Sequence, residues 1–281
     1  MSKELVVRRM EPREVDIAVA WAEQEGWNPG IHDAECFHAA DPRGFFLAEL
    51  DGEPIGCMSA VVYNDTFAFG GFYIIKPAFR GRGYGSRLFD AAMAHAAGRN
   101  IGGDGVVEMQ EKYKERSGFT LAYRNIRFEG IGGGGEPPGL VDVADLPFEQ
   151  VLAYDTAHFP APRPAFLRAW LSQGDSIGRA VVRDDGTLAG YGVIRTCFNG
   201  YKIGPLFADT PADAETIFHG LMAFAPGECV YFDTPEPNTA AVDIARRHGM
   251  EQVFETARMY TRSVPDLPLH EIFGVTSFEL G

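Results

Sequence analysis

Residues 77–87, which read PAFRGRGYGSR, are the stretch that decides the fold. Three glycines and three arginines stand directly after the apolar run FYII of residues 72–75, and an apolar face at helical spacing follows over residues 88–96. A helix start exposes unpaired backbone N–H groups and carries partial positive charge. Glycines let a ligand approach those groups without meeting a Cβ. The stretch therefore predicts an anion-binding loop between a strand and a helix, suited to phosphate.

Two common phosphate-binding motifs do not fit this loop. A P-loop needs GxxxxGK followed by Ser or Thr, and no such pair follows here. A dinucleotide-binding fold needs GxGxxG and an acidic residue on the next strand, and the spacing differs. Just before the loop, the double glycine Gly70-Gly71 inside a strand predicts a bulge or the close approach of another backbone.

A glycine-rich segment divides the chain. Residues 129–139, EGIGGGGEPPG, contain six glycines and two prolines, so they do not hold a helix or a paired strand for long. On each side of this segment, two apolar strands flank an Asp-Gly turn. We predict a first lobe of residues 1–130, a linker of residues 131–139, and a second lobe of residues 140–281 that repeats the first.

Composition argues against several classes of protein. The net charge of −14 opposes binding to nucleic acid or to an anionic membrane. No apolar run approaches the roughly 18 residues of a membrane helix, and the N-terminal residues have no apolar signal region. The four cysteines lie far apart without a CxxC pair, which is typical of reduced thiols. We expect a cytoplasmic protein with no metal site and no nucleic-acid or membrane partner.

Residues 80–85, RGRGYG, match the [QR]xxGx[GA] signature of the GNAT superfamily of N-acetyltransferases. The order around the signature also agrees: a helix, hairpin strands, the signature, and SGF before the last strands. The whole chain resembles a subgroup in which a second, GNAT-like lobe follows the first, and EGWNPG, GYKIGPLFAD, ARMY and EIFGVTSFELG carry that resemblance. It implies an α/β (α+β) fold of two tandem GNAT-like acyl-CoA N-acyltransferase units, each with a mixed, mostly antiparallel sheet flanked by helices.

The resemblance also implies acetyl-CoA as cosubstrate. Backbone amides of residues 82–86 would hold the pyrophosphate, and the backbone of residues 73–75 would pair with the pantetheine arm like an added strand. An amide of residues 72–74 would polarise the acetyl carbonyl. The cofactor-binding residues implied in this way are Tyr73, Ile74, Ile75, Arg80, Gly81, Arg82, Gly83, Tyr84, Gly85 and Ser86.

The implied reaction is direct transfer to a primary amine of a small molecule, amino acid or peptide, with protonation of the leaving CoA thiolate by an acid. The family's usual acid is a Tyr four residues before the Gly of the GF pair, but that position is Lys114 here. We predict that the neighbouring Tyr113 serves instead; a different acid, or none, stays open. Two alternatives remain: a non-catalytic protein that binds or senses acyl-CoA, and a transferase of longer acyl groups.

The acceptor site of a GNAT fold forms around the first helix and the loop after it. That region reads EQEGWNPGIHDAE, so Glu25 is a candidate base and Trp27, Asn28 and Asp33 are candidate acceptor-binding residues. A core position for Trp27 and capping or turn positions for Asn28 and Asp33 stay open. Glu108 is a second candidate base.

The second lobe lacks the glycine-arginine loop. Asp209, Asp213 and Glu215 stand at the corresponding place, where they would repel a pyrophosphate. Thr210 followed by Pro211 predicts a capped helix start there. We therefore predict one active site, in the first lobe and walled in part by the second. The sheet edges of such a fold would allow two copies to pair as a homodimer.

Overall fold

The structure, a computed structural model, describes residues 4–281 except for the side chain of Glu108, so that candidate base lies outside the described residues. Within that part of the chain, no helix is long and apolar enough to cross a membrane. In chain order, the elements up to residue 131 are β1 Leu5–Arg9, α1 Val15–Gln24, α2 Asp33–Ala40, β2 Phe45–Leu50, β3 Glu53–Val62, β4 Phe67–Ile75, α3 Tyr84–His95, β5 Asn100–Val106, α4 Gln110–Ser117 and β6 Thr120–Ile131.

A second series of elements follows in a similar order. These are β7 Leu140–Asp142, α5 Phe148–Ala157, α6 Pro164–Ser172, β8 Ser176–Val182, β9 Leu188–Thr196, β10 Tyr201–Ala208, α7 Pro211–Met222, β11 Cys229–Pro235, α8 Thr239–Arg247, β12 Glu251–Tyr260 and β13 Ile272–Gly274.

All of these strands join one sheet of 13 strands, in the order β1-β2-β3-β4-β5-β12-β6-β11-β10-β9-β8-β7, with β13 paired to β10. The pairs β4–β5 and β10–β11 are parallel, and the other neighbours are antiparallel. The expected mixed, mostly antiparallel sheet flanked by helices is confirmed.

The two series of elements exchange strands in the middle of this sheet. β12 inserts between β5 and β6, so that Tyr260 pairs with Gly102 on one side and with Thr120 on the other. β6 in turn pairs with β11. Strands before the glycine-rich segment therefore pair with strands after it. The division of the chain at residues 131–139 stays a prediction.

In each series the two parallel strands pair only at their beginning and then separate. β4 and β5 pair over residues 67–70 and 100–103, and β10 and β11 over residues 201–203 and 230–232. The gap that follows between β10 and β11 is occupied by β13, which pairs with the end of β10. The gap between β4 and β5 has no such strand among the described residues.

One apolar core connects helices from both series. Phe37 of α2 stacks on Trp170 of α6, with ring centroids 6.1 Å apart, and both side chains are fully buried. Phe45 and Leu47 of β2 face this core, whereas Phe46 faces the opposite side of the sheet, which α3 covers. Burial on both faces explains why β2 is a continuous apolar run without the alternation of a surface strand.

We expect Trp170→Ala to lower the free energy of unfolding by about 3–5 kcal/mol, because a fully buried ring is lost from the shared core. Both series should still unfold in one transition, since they share the core and the sheet. Urea denaturation followed by circular dichroism measures this, with Phe198→Ala as control because Phe198 is 50% exposed. Two separate unfolding transitions would contradict the shared core.

Candidate active site

A cleft of about 570 Å³ opens where β4 and β5 separate. Its walls include β4 beyond Gly70, β5 beyond Gly103, the glycine-rich loop before α3, and α4. Of the ten predicted cofactor-binding residues, all but Arg82 line it. The cleft is therefore built from the part of the chain that the sequence indicated.

A bulge in β4 shapes this gap. Cys57 of β3 pairs with Ile74 and Ser59 pairs with Gly71, which leaves one extra residue in β4. Within the bulge, Phe72 has a φ of 49°, an uncommon conformation for a residue with a Cβ. Bulges bend the strand that contains them. The bend separates the second half of β4 from β5.

The double glycine also permits a close approach, because the tail after β13 runs against it. A Cβ on Gly71 would lie 2.1 Å from the backbone oxygen of Glu279. The sequence predicted a bulge or a close backbone approach at this point, and the structure contains both. Gly71 thus lets the tail lie directly against β4.

The loop before α3 has the open, positive-φ backbone that its glycines predicted. Gly81 and Gly83 have φ values of 72° and 81°, which strain any residue with a Cβ, and Gly83 is the N-cap of α3. No atom lies within 4 Å of the place where a Cβ of either would stand. Gly85 is different, because a Cβ there would lie 2.6 Å from the hydroxyl of Tyr73. The space in front of the helix start is open.

The arginines of the loop differ in their surroundings. The Arg80 Nε donates to the Ile75 carbonyl at 2.7 Å, and its guanidinium also pairs with the carboxylate of Glu25. Both partners line the cleft, so the candidate base and a candidate phosphate ligand neutralise each other. Arg82 is exposed and lies outside the cleft.

Tyr113 lines the cleft, whereas Lys114 does not. The Lys114 side chain is 61% exposed and lies 3.6 Å from Glu111. Tyr113 packs edge-on against Phe119, with ring centroids 6.3 Å apart. Burial is the main reason that the pKa of the Tyr113 phenol rises to about 12, and it therefore keeps its proton at neutral pH.

Of the three candidate acceptor-binding residues, the structure brings only Trp27 to the cleft. The Asn28 side chain donates to the Asn199 carbonyl and accepts from its amide, both at 2.8 Å. Asp33 is fully buried and accepts a hydrogen bond from Arg195 at 2.8 Å. Asn28 and Asp33 thus connect the two series of elements at a distance from the cleft lining.

Five cleft residues that sequence reasoning missed come from the end of the chain: Phe254, Thr256 and Met259 of β12, and Phe278 and Glu279 of the tail. Glu279 is 2% exposed, and neither of its carboxylate oxygens has a hydrogen-bond partner among the described residues. Burial raises the pKa of this carboxyl group. The sequence carried one signal, the acidic residue Glu279 in the mostly apolar tail SFELG. A glutamate is rarely fully buried unless it has a partner.

The corresponding place in the second series is closed. Thr210 caps α7 by accepting from the Asp213 amide at 3.2 Å, as the sequence predicted. Asp213 pairs with Arg183 at 2.8 Å. Carboxylates thus occupy the helix start, and β13 occupies the gap between the strands.

One group outside the cleft has the side chains of a metal site. Ligand atoms of Glu215, His219 and His248 lie within 4.8 Å of one another. The Glu215 carboxylate already accepts hydrogen bonds from Arg247 at 3.1 Å and from His248 at 3.2 Å. Two members of the group, Glu215 and His248, therefore contact each other directly.

Comparison with known proteins identifies the class that this fold and cleft define. Residues 11–111 match the Acetyltransferase (GNAT) family, and residues 151–274 match a second family described as Acetyltransferase (GNAT) domain. The chain is 33% identical over 271 residues to the holothin acyltransferase of Pseudoalteromonas sp. (strain SANK 73390), covering 95% of this chain and 92% of that protein. The chain therefore belongs to the GNAT acetyltransferases, has two GNAT domains, and is an acyltransferase.

Solved structures share the fold over nearly the whole chain. A putative acetyltransferase from Pyrococcus horikoshii superposes with a TM-score of 0.83 at 23% identity, covering 99% of this chain and 96% of that one. A tandem GNAT protein from the clavulanic acid biosynthesis pathway gives a TM-score of 0.64 at 12% identity, covering 94% and 100%. At these identities the likeness shows the fold alone. Proteins of this fold use acyl-CoA as cosubstrate.

The raised pKa of Glu279 predicts a pH-dependent cost to folding. Below the ordinary glutamate pKa of 4.5, folded and unfolded chains both hold the proton, so the residue costs nothing. As the pH rises, the unfolded chain ionises first, and stability is lost until the raised pKa of the folded state is passed. We expect Glu279→Gln, which cannot ionise, to be more stable than the natural protein at pH 8, with a gain that shrinks as the pH falls toward 5.

Urea denaturation at several pH values measures this difference. The exposed Glu251 gives a matched control, because Glu251→Gln should change stability equally little at every pH. A Glu279→Gln variant whose stability follows that of the natural protein at all pH values would contradict the buried, unpaired carboxylate.

Proposed function

We propose that this protein transfers an acetyl group from acetyl-CoA to a primary amine in the cleft between β4 and β5. The observation that carries the proposal is the continuity of this cleft. Its lining includes an open helix start suited to phosphate, the unpaired edge of a bulged strand, a protonated phenol and an unpartnered carboxylate. Acyl transfer from a CoA thioester to an amine can use each of these groups.

The cofactor half of the cleft would use backbone more than side chains. Amides at Gly83, Tyr84 and Gly85 would contact the pyrophosphate, because the positive φ of Gly83 places α3 with its start toward open space. The β4 edge at residues 73–75 faces the gap and would pair with the amide groups of the pantetheine arm. Arg80 would add positive charge once a phosphate competes with Glu25 for it.

The chemistry would rest on two groups of the chain at the reacting atoms. An N–H of the β4 bulge, within residues 72–74, would stabilise the negative charge that develops on the acetyl oxygen as the amine attacks. The Tyr113 phenol would give its proton to the leaving sulfur. Burial favours this role because it keeps the phenol protonated at neutral pH.

The acceptor half of the cleft is aromatic. Trp27, Phe254 and Phe278 line it together with Glu279. Such walls favour a small amine with an apolar body. The alignment with the holothin acyltransferase covers 92% of that protein's length. Holothin should therefore be among the acceptors tested.

The cofactor site is tested by calorimetric titration of acetyl-CoA into the natural protein and Gly83→Glu. The glutamate places bulk and negative charge at the start of α3, so we expect binding to weaken at least about tenfold, or ~1.4 kcal/mol. Gly98→Glu is the matched control, since Gly98 has a similar φ of 86° and open space around it but does not line the cleft. Absence of binding by the natural protein would refute the proposed cofactor.

The proposed acid is tested by Tyr113→Phe, which removes the phenolic proton and keeps the ring. We expect kcat for amine acetylation to fall by about 10²-fold, with acetyl-CoA binding unchanged. Release of CoA thiol is the readout, and Lys114→Ala is the control because that side chain is exposed. An unchanged kcat would remove Tyr113 from the mechanism. Tight acetyl-CoA binding without acetylation of any amine would favour a protein that senses acyl-CoA, and faster transfer from longer acyl-CoAs would correct the donor.

A further inference from the structure

The carboxylate of Glu279 is the feature of the cleft that the fold itself does not explain. A buried polar group normally has a hydrogen-bond partner, and a buried charge normally has an ion-pair partner. Glu279 lines the cleft, is 2% exposed, and has neither kind of partner among the described residues. The missing partner is therefore to be sought in a ligand of the cleft.

The other cleft carboxylates with described side chains are already engaged. Glu25 pairs with Arg80. Asp104 pairs with Arg258 at 2.6 Å and accepts from the Asn125 amide at 2.8 Å. These contacts leave Glu279 as the carboxylate with free oxygens in the described lining.

We propose that Glu279 binds the amino group of the acceptor and takes a proton from it. The inference rests on the proposed function and names the acceptor-binding residue of the same cleft. A primary ammonium group has three N–H donors, which match the free lone pairs of a carboxylate. The contact would supply the charge-assisted hydrogen bonds that Glu279 lacks.

The backbone of the tail holds Glu279 in place. The Ser277 hydroxyl accepts from the Leu280 amide at 3.0 Å, and the Tyr63 hydroxyl donates to the Leu280 carbonyl at 2.8 Å. On the other side, the Glu279 carbonyl lies against Gly71. The side chain thus starts from a fixed point beside the β4 bulge, where the acyl group would lie.

The charged groups around Glu279 already have partners of their own. Arg127 pairs with Asp233 at 2.7 Å, and the Arg195–Asp33 pair lies at 2.8 Å. The Lys202 ammonium donates to the backbone carbonyl of Asn28 at 2.7 Å. None of these groups donates a hydrogen bond to the Glu279 carboxylate, so its oxygens stay free for a ligand.

The same surroundings limit the acceptor to a monoamine without a neighbouring carboxylate. Trp27, Phe254 and Phe278 line the same cleft as Glu279, and these aromatic side chains suit an apolar body. An amino acid would bring its own carboxylate close to Glu279, and the nearby cations Arg127 and Lys202 are already hydrogen-bonded. A free amino acid should therefore bind less well than the corresponding amine.

The transfer of the acyl group to the amine balances in protons and electrons without another reactant. The ammonium gives one proton to a Glu279 oxygen, and the nitrogen lone pair forms a bond to the thioester carbon. The C–S bond breaks with its electron pair on sulfur, and the second proton lost from nitrogen ends on that sulfur through Tyr113. Glu279 then returns its proton to water.

Binding of probe amines tests the inference without turnover. We would titrate phenethylamine, hexylamine, 2-phenylethanol and phenylalanine into the protein with and without saturating CoA. The natural protein should bind an amine at least tenfold more tightly than the matched alcohol or amino acid. Glu279→Gln should abolish this preference while CoA binding stays unchanged. Glu251→Gln, at an exposed position, should keep it, and Glu25→Gln tests the other candidate base of the cleft.

Two results would overturn the inference: an amine preference that survives Glu279→Gln, or a natural protein that prefers no amine over the alcohol. Loss of the preference in Glu25→Gln alone would move the amine site to that residue. Failure of CoA to bind would count against the proposed function instead, because the amine preference is measured without CoA as well.

Discussion

The insertion of β12 between β5 and β6 is the constraint on which the rest of this structure depends. Both edges of β12 are hydrogen-bonded to strands that precede residue 131, so the second GNAT domain completes the sheet of the first. Unpaired backbone groups are costly when buried, and this exchange pairs those of β12 with β5 and β6 in the middle of the sheet. The exchange also carries Phe254 into the cleft of the first domain and directs the following tail back toward β4. The site is therefore built by both domains.

The same backbone geometry has two outcomes in the two domains. Parallel strands separate after a few pairs in both, which leaves an unpaired edge. In the second domain β13 covers that edge and carboxylates stand at the start of α7. In the first domain the edge stays open and α3 begins at a bare glycine loop. One of two similar gaps is thus open as a cleft, and the other is filled by the fold itself.

The cleft concentrates features that weaken the fold. Phe72 has a positive φ, and Glu279 has a buried carboxylate without a partner. Each has a cost that packing elsewhere offsets, and such costs collect at functional sites. The Arg127–Asp233 pair between the domains has comparable burial but completes its contacts within the chain. Under our proposal, this contrast separates a pair that holds the domains together from Glu279, which would bind the substrate.

The sequence by itself determined the features that depend on neighbouring residues. The glycine loop followed from glycines at positive φ before a helix, and the double glycine indicated the bulge and close contact at Gly71. The position of Tyr113 at the cleft was also predicted. Only the tertiary structure decided that Asp33 pairs with Arg195 and that Glu279 reaches Gly71. Those contacts join residues more than 150 positions apart, and they depend on which strand inserts where, which total burial and backbone pairing decide and local preference does not.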